Sequence, residues 1–265
     1  MAFIDDLALV EVLLMLAASV LTYVGLVGWW AMRRNDAKGL RNAIKGGAVP
    51  VGLVGGVTLA LALWGEMTWP FPAAAKMGGY NIFFLDVMVL FGIVMVAYAV
   101  SAYYTVRLQY MGILAMVAGA VTIFYGYTGY TANPQFTKEP FDTLLLYMGF
   151  GAAGIAAFPA SIVVDLYLAA AEGVSTFWSS VATSQSRVFT PMGVRGVGAI
   201  PGSKAAESTE DEDSAKFTSP YRIPVLLQLV VLGFPLFMAL AGIAAMWYFG
   251  VTLPGHLGGG PAAAP

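Results

Sequence analysis

The sequence predicts an all-α polytopic membrane protein, a bundle of six transmembrane helices with both termini on the outer side. Three observations carry this. Hydrophobic residues make up 59% of the 265-residue chain and charged residues only 11%. A soluble domain averages about 25% charged residues and needs them to cover its surface. Six continuous apolar runs are long enough to cross a hydrocarbon core of about 30 Å, with none of the alternation of a membrane barrel. Finally, the basic residues are distributed unevenly between alternate connections.

The spans are read at 7–31, 49–69, 81–106, 109–130, 141–169 and 223–250. Asp5 and Asp6 precede the first, and Arg33, Arg34, Lys38, Arg41 and Lys45 follow it. That is the reverse of a secretory signal, so the first span is a retained helix with its N-terminus outside. Arg107 and Leu108 alone separate the third and fourth spans, a tight inner turn that sets those helices side by side. Pro70, Pro72, Gly78 and Gly79 shape an outer loop at 70–80, and Pro134 and Pro140 another at 131–140. Pro159 interrupts the helix ladder of the fifth span and predicts a kink. With six alternating helices the inner segments 32–48, 107–108 and 170–222 hold 11 Lys and Arg, and the outer ones only Lys76 and Lys138. Positive charge is retained on the cytoplasmic side, which sets this orientation.

The organisation that follows is a five-helix bundle over 1–169, a cytoplasmic loop over 170–222, a sixth helix, and an extracytoplasmic tail over 251–265. Phe177, Trp178, Val181, Val188 and Phe189 suit an interfacial segment in the first half of the loop. The acidic run at 205–215 cannot bury apolar area and reads as mobile.

Composition excludes several functions. Cysteine is absent and His256 is the single histidine, which removes disulfides, thiol nucleophiles, cysteine metal sites and paired haem ligands from one chain. No histidine base is placed for acyl transfer. A net charge of -2 with no basic patch argues against nucleic acid as a partner.

Intramembrane carboxylates are the natural functional candidates, because burying them is costly. Glu11, Glu66, Asp86 and Asp142 all fall toward the outer side. Glu11, Glu66, Asp86 and His256 form a candidate set for a divalent metal. Asp86 lies deepest and is expected to be buried beside Glu11, Glu66 or Asn81, in a structural or proton-linked role. Glu66 and Asp142 also suit the ends of helices, where their charge reaches water. Asp165 and Arg107, at the inner side, suit a structural ion pair, and Arg107 also suits lipid phosphate. Tyr80, Tyr125, Tyr127, Tyr130, Trp64, Trp69, Trp247 and Tyr248 read as an outer aromatic belt, with Trp29 and Trp30 in the inner one. Glycines between those tyrosines leave room for a lipid, quinone or pigment. Gly149, Gly151 and Gly154 match the letters of a dinucleotide fingerprint. Their place inside an apolar span instead makes them a helix-packing face.

Trp69-Pro-Phe-Pro72, Tyr80-Asn81, Phe84-Leu-Asp86, Leu90-Phe-Gly92, Tyr125-Gly-Tyr127 and Phe158-Pro-Ala160 resemble an uncharacterised family of prokaryotic, largely archaeal, multi-pass membrane proteins. The resemblance spans about 50–170 and implies no reaction. Sparse redox ligands and abundant small-residue faces point first to a non-catalytic structural or accessory subunit of a larger membrane complex, with an energy-transducing complex as one setting. A small-solute or ion transporter using Asp86 and a metal-dependent membrane enzyme are the alternatives. The partners expected are membrane lipids with other membrane subunits or a second copy, and the bound groups a divalent metal or a lipid.

Overall fold

Residues 6–68, 78–132, 140–171 and 224–257 are described by the computed structural model of the chain. They form α1 (Asp6–Arg33), α2 (Ala37–Thr68), α3 (Gly78–Tyr103), α4 (Leu108–Ala132), α5 (Pro140–Ala171) and α6 (Val225–Leu257). All six are long and apolar enough to cross a membrane. The protein is an all-α, multi-pass membrane protein. Most of the 170–222 loop, the loops at 69–77 and 133–139, and the end of the tail lie outside the described residues.

The second helix begins far before the apolar run that announced it. Asp36 Oδ1 accepts the Gly39 N–H at 2.7 Å, which caps the helix start and satisfies a donor that has no partner within the helix. The first turns of α2 are amphipathic. Ala37, Leu40 and Gly47 are buried while Lys38, Arg41 and Lys45 are exposed. A hydropathy reading sees only the apolar stretch beyond, so it assigned these residues to a loop. The preceding residue, Asn35, has φ of 59°, and its Oδ1 accepts a hydrogen bond from Tyr167 of α5 at 3.2 Å. At the other extreme α6 continues past Gly250 to Leu257, seven residues into what the sequence assigned to the tail.

The helices form a closed ring in chain order, with α6 returning to α1. Small residues set the close seams. A side chain at Gly55 would meet Met95 Cβ at 2.5 Å, and one at Gly92 would meet the Leu59 backbone at 2.9 Å, so α2 and α3 are in near-backbone contact. The dinucleotide-like glycines divide between two neighbours. Gly149 faces Ala241 of α6, while Gly151 and Gly154 face Gly119 of α4. Between helices in lipid the gain comes from van der Waals contact, which small residues permit. The tight turn expected to set α3 against α4 joins the loosest seam of the ring instead. These two helices meet near their ends, and a cavity separates them between.

One end of the bundle carries Arg33, Arg34, Lys38, Arg41 and Lys45, and the other carries Glu66 and Asp86. They are called here the basic end and the carboxylate end. At the basic end Arg33 lies over Trp29 and Arg34 over Trp30, with 5.6 and 4.6 Å to the ring centres.

Candidate functional site: a carboxyl pair above an apolar cavity

At the carboxylate end three helices converge. Gly65 packs directly against Leu85, which draws the last turns of α2 onto the start of α3. Glu66 and Asp86 follow these two residues in sequence, so their carboxyl groups lie near enough to act on each other. Tyr125 arrives from α4 and donates its hydroxyl to Asp86 Oδ2 at 2.7 Å. Its approach depends on the glycines beside it. A side chain at Gly126 would meet Tyr147 Cβ at 2.5 Å, and one at Gly129 would overlap the Phe83 ring.

An aromatic layer supports the cluster. Phe83 stacks on Tyr147 with centroids 4.8 Å apart and meets Phe84 edge-on at 5.1 Å. The Tyr147 hydroxyl donates to the Phe83 carbonyl at 2.7 Å, which fixes the first turns of α3 against α5. Glu66 Oε1 is buried and has no hydrogen-bond partner among the described residues. Two ionised carboxylates near each other repel, and a proton held by one of them relieves this, because a protonated carboxyl donates where an ionised one only accepts. The arrangement can therefore hold one proton between Glu66 and Asp86, with Tyr125 as a second donor.

Beneath this cluster the ring encloses a cavity of about 170 Å³, lined almost wholly by apolar groups. Val87, Thr122 and Tyr147 form its upper wall, within a turn of Asp86 and Tyr125 or, for Tyr147, in the supporting layer. Trp29, Leu40 and Leu108 form its floor at the basic end.

Asp165, expected in an ion pair, has a different principal role. Its two oxygens accept the Leu108 and Gln109 N–H groups at 3.1 and 2.8 Å. A carboxylate on α5 thus caps the N-terminus of α4, where its charge also complements the helix dipole. Arg107 is close enough to act on that charge. Of the four residues expected around a metal, Glu66 and Asp86 come together. Glu11 is buried, only 3% exposed. Among the described residues no three acidic or histidine side chains gather. Asn81 and His256 lie on α3 and α6, but their side chains are outside the described part. The outer aromatic belt divides too. Trp64, Tyr127, Tyr130 and Trp247 are exposed, as a belt requires, whereas Tyr248 is buried against Tyr147 and Phe84.

Tyr125 is the residue whose role sequence reasoning did not single out. It stands among tyrosines of the belt, two residues before Tyr127 and five before Tyr130, and what separates it from them is that it turns inward to Asp86 while they are exposed.

A family model described as a protein of unknown function, DUF981, matches residues 1–180. The chain belongs to the DUF981 family. The match covers α1 to α5, and with them every residue of the Glu66–Asp86–Tyr125 cluster, and it stops before α6. The likeness noted over 50–170 falls within it. No curated protein and no solved structure matches the chain.

Proposed function

We propose that this DUF981 protein is a proton-linked ion transporter in which Glu66, Asp86 and Tyr125 form the exchanging site. The observation that carries the reading is the convergence of Tyr125, which donates to Asp86 Oδ2, and Glu66 on Asp86 at one end of a mostly apolar bundle. Ionisable residues at such positions are costly and mark ion paths or proton relays. In this reading Asp86 and Glu66 share the transferred proton, and Tyr125 holds Asp86 in register. The uneven distribution of Lys and Arg supports an orientation with both termini outside, and in that orientation the cluster exchanges with the extracytoplasmic side.

The accessory-subunit reading draws on sparse redox ligands and abundant small-residue faces, and the carboxyl cluster favours transport over it by adding an ionisable site that a purely structural subunit does not need. Proteoliposomes carrying the purified full chain and an internal pH dye test the proposal. An imposed pH gradient should drive proton flux, Asp86→Asn should abolish it, and Glu66→Gln should reduce it strongly. Flux that is unchanged in Asp86→Asn sinks the reading. A silent lone chain that co-purifies with a partner in fixed ratio replaces it with the accessory subunit.

A further inference from the structure

The cavity below the cluster has a shape and a wall chemistry that the transport reading does not use. Its lining runs on α1 from Leu14 to Trp29 and on α4 from Leu108 to Thr122, roughly 20 Å of bundle length at the helical rise. An apolar cavity of about 150 Å³ holds one compact ring-sized ligand. Here a similar volume, about 170 Å³, is spread along most of the thickness of a bilayer leaflet pair. A long, narrow, apolar space suits one flexible hydrocarbon chain better than a compact or polar solute.

Access and polarity point the same way. The α3–α4 seam is the loosest of the ring, and the central cavity, lined from all six helices, reaches that seam at Phe91 and Val94 of α3 and Met111 and Ala118 of α4. A chain can enter there from the lipid without crossing water. The floor of the cavity adjoins the basic end, where Arg33, Arg34, Lys38, Arg41 and Lys45 are exposed. Basic residues at that level attract anionic headgroups. Trp29 lines the same end, and its Nε1–H is buried with no hydrogen-bond partner among the described residues. A buried donor without an acceptor is costly, and an ester oxygen at the glycerol level of a lipid is an acceptor of the right kind.

We infer that the cavity binds one acyl chain of an anionic phospholipid, inserted between α3 and α4 with its headgroup at the basic end. The inference stands independently of proton exchange at Glu66 and Asp86.

The test uses the full chain in vesicles containing phosphatidylglycerol with a diazirine on one acyl chain. Parallel vesicles carry the same diazirine chain on phosphatidylcholine, or a diazirine-bearing prenyl alcohol. Photolabelled sites are mapped by mass spectrometry. Label from phosphatidylglycerol should concentrate on the cavity residues Met88, Met95 and Met111, which are 5%, 1% and 7% exposed. It should exceed the label on the lipid-facing Ile93 and Val117. Ala118→Leu, which fills the cavity, should lower the Met95 label about tenfold, the equivalent of ~1.4 kcal/mol of lost binding. Ala120→Leu on the exposed face of α4 should leave it unchanged. If Ala118→Leu does not fold, the map of the unaltered protein decides by itself. Label confined to Ile93, Val117 and other outward residues overturns the site. Equal labelling of the cavity by phosphatidylcholine, or labelling there by the prenyl probe alone, overturns the anionic phospholipid as its occupant.

Discussion

Toward α5, helix α4 presents Gly112 and Gly119 and comes into backbone contact. Toward α3, it presents Met111 and Ala118 and borders a cavity. The difference lies in what the partner offers. On α5, Gly151 and Gly154 face Gly119, so that a side chain at Gly119 would lie 2.5 Å from the Gly151 carbonyl oxygen. On α3 no glycine answers those of α4 along the cavity: the residues there are Phe91, Val94 and Tyr98, and Phe91 meets Phe150 of α5 while Tyr98 donates to the Ile44 carbonyl of α2. Lipid chains are as apolar as leucine, so no hydrophobic gain closes such a gap. A seam between membrane helices closes where both sides are small, and chain connectivity through a short turn does not substitute for that.

Adjacent residues make the largest contrast. Gly119→Val should destabilise the protein by about 3 kcal/mol, because two backbones must separate. Ala118→Leu, one position earlier, enters the cavity and should change stability by no more than about 1 kcal/mol. Unfolding titrations in one detergent compare the two directly. Equal losses would mean that the two flanks of α4 are packed alike.

The α4–α5 seam is also tied at its end by Asp165. Asp165→Ala removes the acceptor of two backbone N–H groups and should cost about 2 kcal/mol. Amide exchange at Leu108 and Gln109 should rise selectively, and protection retained there would separate Asp165 from the capping role.

On the α3 side the polar tie described is the Tyr125 hydroxyl on Asp86. Tyr125→Phe removes the 2.7 Å hydrogen bond to Asp86 and should cost about 1 kcal/mol. The carboxyl stretching band of the Glu66–Asp86 pair should shift in this variant and disappear in Asp86→Asn. A band indifferent to Tyr125 would place the tyrosine outside the site.

The smallest effect belongs to the turn itself. Thr105 has φ of 55°, a conformation that costs a non-glycine residue roughly 1–2 kcal/mol. Thr105→Gly relieves this at the expense of chain entropy and should raise stability by about 0.5 kcal/mol. A loss in thermal melts would show that the threonine side chain supports the turn.

How much of this was legible in the sequence depends on which physical term governed each feature. Asp86 could be singled out because a carboxylate well inside an apolar span is expensive wherever it points. Asp165 was legible as a structural residue but not as a cap, since its acceptor role depends on the position of a helix start 57 residues away. Glu66 read equally well as an end residue, and Tyr125 as one tyrosine of a belt. What distinguishes them is the direction each faces in the ring, and that depends on how neighbouring helices rotate to bring their small residues together.

The sequence by itself determined six spans, their apolar character and the small-residue faces at Gly119 and Gly149 to Gly154. Those properties follow from local transfer energy and residue volume, which need no partner to be evaluated. The cavity, the loose α3–α4 seam and the convergence of Glu66, Asp86 and Tyr125 were decided by the tertiary structure. Each is a relation between surfaces of different helices, fixed only when the ring closes and every backbone approaches its neighbour as nearly as the intervening side chains allow.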